Sequence, residues 1–187
     1  IAEFRAATPE QSNFRHLVFD IGWVGLALAT TTRFLSIYAI HLGANATQLA
    51  LLTSLPALVL LITSMLGGWW RARYPDSVKA VFWPSVGFRL SFLLLVFTPF
   101  LPVAWQPYWL ILAVTLPAIP QGISGVVFLV MMRESVDEQQ YPSLQSRRFL
   151  VMNISIAIGA IACGLWLERA PFPLNYQVMF LFAFGMT

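Results

Sequence analysis

Apolar stretches of about 20 residues follow one another along nearly the whole chain, and a helix of that length is what crosses the roughly 30 Å hydrocarbon layer of a bilayer. They run over residues 17–40, 48–70, 80–101, 108–132, 149–167 and 176–187, separated by short breaks rich in Pro, Gly, Arg and Asn. In lipid, backbone polar groups must be bonded within the spanning structure, so only helices and closed barrels are available. The alternating ten-residue segments of a barrel are not seen. The sequence therefore predicts an all-α membrane protein, a bundle of six transmembrane helices. The last stretch stops at Thr187, short of a full crossing, so the sixth helix is expected to be truncated and the chain a fragment.

Composition points the same way. Hydrophobic residues make up 58% of the chain and charged residues 10%, whereas a soluble domain carries about 25% charged residues. One apolar helix can hide in a core, but a whole chain of them cannot. The first apolar run is longer than a signal-peptide core and lacks a small-residue cleavage site, so it is expected to remain as a span. Cys163 alone makes no disulfide framework. The net charge of +3 reflects sorting of basic residues to one membrane face rather than nucleic-acid binding.

That sorting sets an expected orientation. With a cytoplasmic N-terminal segment over residues 1–16, the inside segments hold Arg5, Arg15, Arg71, Arg73, Lys79, Arg133, Arg147 and Arg148. The outside segments hold only Arg169. Glu134, Asp137 and Glu138 share an inside loop and weigh little in this rule. Thr8-Pro9-Glu10 reads as a helix start, with a hydroxyl cap, Pro at the first position and an acid in the first turn. Trp69, Trp70, Trp105, Tyr108, Trp109 and Trp166 fall near span ends, as an anchoring aromatic belt does. The expected location is a cell membrane, inner or plasma, crossed several times.

A weak internal echo suggests a repeat. The Gly22-Trp23-Val24-Gly25 segment of the first span is matched about 100 residues later by Gly122-Ile123-Ser124-Gly125 of the fourth, and Gly67-Gly68-Trp69 by Gly164-Leu165-Trp166. Spans one to three would echo spans four to six as a 3+3 inverted repeat, as in many secondary carriers. Chance is the competing explanation, because Gly and Trp are common in membrane helices.

Ionisable groups inside a span are costly and mark candidate sites. Arg33 lies near the middle of the first span, Arg89 in the third, and Asp20 near the N-terminal end of the first. Gly22, Gly25, Ala29, Thr32 and Ser36 recur near Arg33 at helical spacing. Such a stripe either lines a water-filled cavity, with the guanidinium fork holding an anionic group, or packs helices closely. Asp20 and Arg33 point to different sides over three turns apart, so they are not partners. Arg89 has no polar stripe and is expected to serve a structural ion pair or interhelix bond. The fourth span carries Pro117, Pro120, Gln121, Gly122, Ser124 and Gly125, suiting either a kinked gate or close packing. Asn153 is a further polar candidate. No phosphate loop, HExxH, cysteine pair or Gly-x-Ser-x-Gly is present, and no enzyme activity, metal or cofactor is expected.

With these residues in hand, the chain resembles the N-terminal six-helix half of the major facilitator superfamily. Gly68-Trp69-Trp70-Arg71-Ala72-Arg73-Tyr74-Pro75 is similar to the family's loop after its second helix, keeping Gly68 and the basic Arg73 but replacing an acid by Ala72 and a Gly by Pro75. Ala118-Ile119-Pro120-Gln121-Gly122 keeps the Gln-Gly of the family's fourth helix without its Arg. Asn175-Tyr176-Gln177-Val178-Met179-Phe180 looks like a sixth-helix start. The resemblance implies a secondary active transporter working by alternating access, completed by a C-terminal half of the same chain, with a small polar or anionic solute and a coupling proton or ion as partners in the bilayer. It implies that helices one and four line the cavity, which favours Arg33 and Gln121 and lowers Arg89; Thr32, Ser36 and, on the fifth span, Asn153 are further cavity candidates, and Asp20 and Arg89 are read as structural charges. Gly22, Gly25, Pro120, Gly122 and Gly125 would serve gating or packing. The rival reading is a non-transporting membrane scaffold, assembly or sensor subunit.

Overall fold

The computed structural model describes residues 8–187. All regular elements among them are helical: α1 (Pro9–His41), α2 (Ala46–Ser64), α3 (Gly67–Arg71), α4 (Ser77–Val96), α5 (Gln106–Ser135), α6 (Tyr141–Arg169) and α7 (Leu174–Met186), with two short 3-10 turns between α4 and α5. Five of these, α1, α2, α4, α5 and α6, are long and apolar enough to cross a membrane. The chain is thus a multi-pass helical membrane protein. The 13 residues of α7 extend about 20 Å at 1.5 Å per residue, short of a crossing. Arg5 lies outside the described residues.

Helix starts follow local chemistry. Thr8 caps α1 by accepting from the Gln11 amide, with Pro9 and Glu10 behind it. The helix then runs unbroken for 33 residues, about 50 Å. The Thr8 start therefore opens the spanning helix itself. Gly43, at φ 81°, turns the chain after α1 in a conformation that a Cβ disfavours. Asn45 and Gln48 then form a reciprocal capping box that opens α2. Asp76 caps α4 through the Lys79 amide.

The second apolar stretch, expected to run unbroken to Trp70, ends as a helix at Ser64 and resumes as the short α3. Two adjacent glycines weaken a helix by about 1 kcal/mol each. Tertiary contact holds the break, because Gly67 packs under Val126 of α5 so tightly that a Cβ would fall 2.6 Å from the Val126 Cβ.

Sequence neighbours are not the main spatial neighbours. The strongest seams join α1 with α6, α4 with α5, and α2 with α5, while α7 packs on both α4 and α1. Between apolar helices in lipid, contact energy comes mostly from close packing, which favours small residues at the seam. At one end of the bundle, Tyr38 stacks on Tyr176 with ring centroids 4.4 Å apart. Phe180, Leu95 and Leu110 bury around this pair. Towards the other end, Ala80, Val81 and Val127 form a smaller cluster with Trp70 and Tyr74.

Candidate functional site

The small-residue stripe of α1 divides along its length. In its first half it is a packing seam. A Cβ on Gly25 would lie 2.8 Å from both the Met152 carbonyl oxygen and the Ser155 Cβ of α6. Reciprocally, a Cβ on Gly159 of α6 would lie 2.9 Å from the Ala29 Cβ. Gly22 faces Val151 and Ser155 with ordinary clearance. Beyond Ala29 the same side opens, and Arg33 and Ser36 are exposed. Among the described residues no hydrogen bond or ion pair reaches the Arg33 side chain. The Thr32 side chain lies outside what the structure describes.

The fourth span behaves in a parallel way. Gly122 is buried against α2, where a Cβ would overlap the Thr63 hydroxyl oxygen and lie 3.0 Å from the Leu60 carbonyl oxygen. Pro120 packs against Gly87 of α4. Gly125 is exposed with open space above it. Gln121 is half-buried. Asn153 is exposed, and its amide donates to the Phe149 carbonyl of its own helix at 2.8 Å. No hydrogen bond or ion pair joins Arg33, Gln121 and Asn153 to one another. The Ser85 and Ser124 hydroxyls meet at 2.8 Å across the α4–α5 seam. Arg89, half-buried on α4, has no acid within ion-pair reach among the described residues.

The structure places one charge where the sequence reading did not. Arg148, read as a loop cation, is buried on α6. Its guanidinium donates to the Leu17 carbonyl oxygen, lies 3.9 Å from the Asp20 carboxylate and sits 5.0 Å over the Phe128 ring of α5. Asp20 thus has a partner one helix away, not on its own helix. A buried guanidinium loses hydration, and the carbonyl, carboxylate and ring face together replace part of it. The readable signal was the helix phase: Arg148, Met152, Ser155 and Gly159 lie three and four residues apart on the stripe that meets α1. The helix start at Tyr141 carries Arg148 into that stripe.

A second polar cluster gathers the loop between α2 and α4 beneath the end of α5. Arg71 donates to the Tyr74 carbonyl at 2.9 Å and pairs with Glu134 at 3.3 Å. Ser77 donates to the same carboxylate. Arg73 lies over the Trp69 ring, 3.4 Å from its centroid, while Gly68 is open. Asp76, in this loop, accepts from the Lys79 amide, and that hydrogen bond holds its carboxyl below the usual range. These contacts tie loop to helix.

No protein-family model matches the chain, and neither a curated protein nor a solved structure matches it.

Proposed function

We propose that this chain is the first half of a secondary active transporter that works by alternating access, lies with its N-terminus cytoplasmic, and moves a small polar or anionic solute. The observation that carries the reading is Arg33. An arginine inside a span is costly unless something answers its charge, and this one is exposed on the open part of the α1 stripe with no described partner. A substrate anion, or an acid on a facing half of the bundle, would supply the missing counter-charge.

The pattern of seams also supports the reading. Exchanging the first three spans for the last three turns the α1–α6 seam into the α5–α2 seam, and α5–α4 into α1–α7. A 3+3 repeat would produce that correspondence. The resemblance of the Gly68–Arg73 loop and the Gln121-Gly122 pair to the major facilitator superfamily agrees with it. A coupling proton or ion belongs to the same proposal.

The test is uptake of candidate anionic solutes into proteoliposomes by the complete protein. Arg33→Ala should abolish uptake with normal expression and folding. Arg33→Lys should keep the charge but recover only part of the rate, because a point charge does not reproduce the guanidinium fork. Unchanged transport in Arg33→Ala would remove Arg33 from the site. Absence of any transport by the wild type would favour a scaffold or sensor subunit.

A further inference from the structure

An open groove of about 1220 Å³ runs along the first half of α1 and the start of α6. Its chemistry changes along its length. At the N-terminal end Arg15, His16 and Arg147 line it, and deeper in the bundle Phe19, Trp23 and Leu26 take over. No acid is among the described residues that line it. Phe19 and Trp23 meet edge to face at 5.8 Å and stand exposed. The Arg147 guanidinium rests 5.4 Å from the Phe14 ring. Its neighbour Arg148 turns inward to Asp20, so of this pair Arg147 is the one that faces the groove.

The length of the groove has a natural scale. From Arg15 to Leu26 α1 rises about 16 Å, half of a hydrocarbon layer roughly 30 Å thick. A cationic rim above a one-leaflet-deep apolar channel matches one molecular shape, an anionic headgroup carrying an acyl chain. Exposed apolar surface on α2 lacks the rim: Leu58, Leu61 and Ile62 stand exposed with no cation in that helix. Ordinary boundary lipid suffices there.

We infer that this groove is a binding site for an anionic phospholipid of the leaflet on the N-terminal side of the bundle. Its phosphate lies between Arg15 and Arg147, and one acyl chain runs along Phe19, Trp23 and Leu26. Basic pockets between spanning helices are a recurrent way to hold acidic headgroups. The inference does not depend on whether the chain carries a solute.

The test uses the complete protein in phosphatidylcholine nanodiscs doped with phosphatidylglycerol brominated on its acyl chains, which quenches indole fluorescence on contact. The readout is the quenching that disappears in Trp23→Phe. Brominated phosphatidylglycerol should quench Trp23 at fractions where brominated phosphatidylcholine does not, and the preference should weaken between 0.05 and 0.5 M salt, a range across which screening becomes strong. Each basic side chain at a bilayer surface is worth about fivefold in affinity, so Arg15→Gln with Arg147→Gln should lower the preference about 25-fold. Arg169→Gln should leave it unchanged. Equal quenching by both lipids would mean ordinary boundary lipid and overturn the inference. Shielding of Trp23 from both would mean that a protein segment or a second copy fills the groove, and would overturn it too. If the double variant does not fold, the salt dependence and lipid selectivity of the wild type decide the matter alone.

Discussion

Replacing Gly122 with Ala puts a methyl group where α2 and α5 already touch. The new Cβ would overlap the Thr63 hydroxyl and lie 3.0 Å from both the Leu60 carbonyl oxygen and the Ser64 amide nitrogen. The hydroxyl can rotate away, but it then gives up its 2.8 Å bond to the Val59 carbonyl, worth about 1 kcal/mol. The backbone atoms cannot rotate away, so the helices must part by a few tenths of an ångström. Overpacking of that kind costs about 1–3 kcal/mol, against which better helix propensity returns up to about 1 kcal/mol. The net expectation is a loss of about 1–3 kcal/mol. Gly125→Ala, one turn further along the same helix, meets nothing within 4 Å and should be neutral or stabilising by up to about 1 kcal/mol. Gly122→Ala combined with Thr63→Ala should recover part of the loss. Steric trapping of the purified protein in micelles measures the unfolding free energy. If the two single variants fall within about 0.5 kcal/mol of each other, a spread typical of unperturbed surface sites, the tight α2–α5 seam is refuted.

Two further outcomes follow from the charges. Arg148→Ala should cost about 2–4 kcal/mol in the same assay, because the buried side chain and its Leu17 contact are lost together, whereas Asp20→Asn should cost about 1 kcal/mol or less because Asp20 is nearly half exposed. For the Asp76 cap the folded carboxyl titrates below its ordinary value of about 4. Its contribution is therefore fully present above that ordinary value and is lost as pH falls through the lowered folded one. Hydrogen exchange at the Lys79 amide should accelerate, relative to neighbouring amides, on acidification through that window, and Asp76→Asn, which keeps an acceptor without titrating, should flatten the profile.

The spans were legible because lipid demands continuous apolar sequence, and Thr8-Pro9-Glu10 was legible because capping is local chemistry. The break at Ser64 was not, since the apolar run continues through Met65 and Leu66 and only Val126, far along the chain, shows where Gly67 must sit. Arg148 was hidden for a related reason. Hydropathy places an Arg147-Arg148 pair outside the bilayer and does not distinguish the one that faces α1 from the one that faces outward. The Gly25 stripe was visible as a pattern, but its division into a sealed half and an open half depends on where α6 lies beside α1.

The order of the seams bears on how such a chain is made. The first three spans, α1, α2 and α4, share little contact with one another. As they leave the ribosome and enter the bilayer they have few partners, and each must rest in lipid as a lone helix. The arrival of α5 changes that, since it gathers α2, α3 and α4 at once. The Gly25 face of α1 stays uncovered longer, until α6 delivers Ser155 and Gly159. A nascent chain stalled before α5 would be three helices with little contact between them, and one stalled before α6 would still expose the Gly25 face of α1 to lipid and to the quality-control machinery that surveys it.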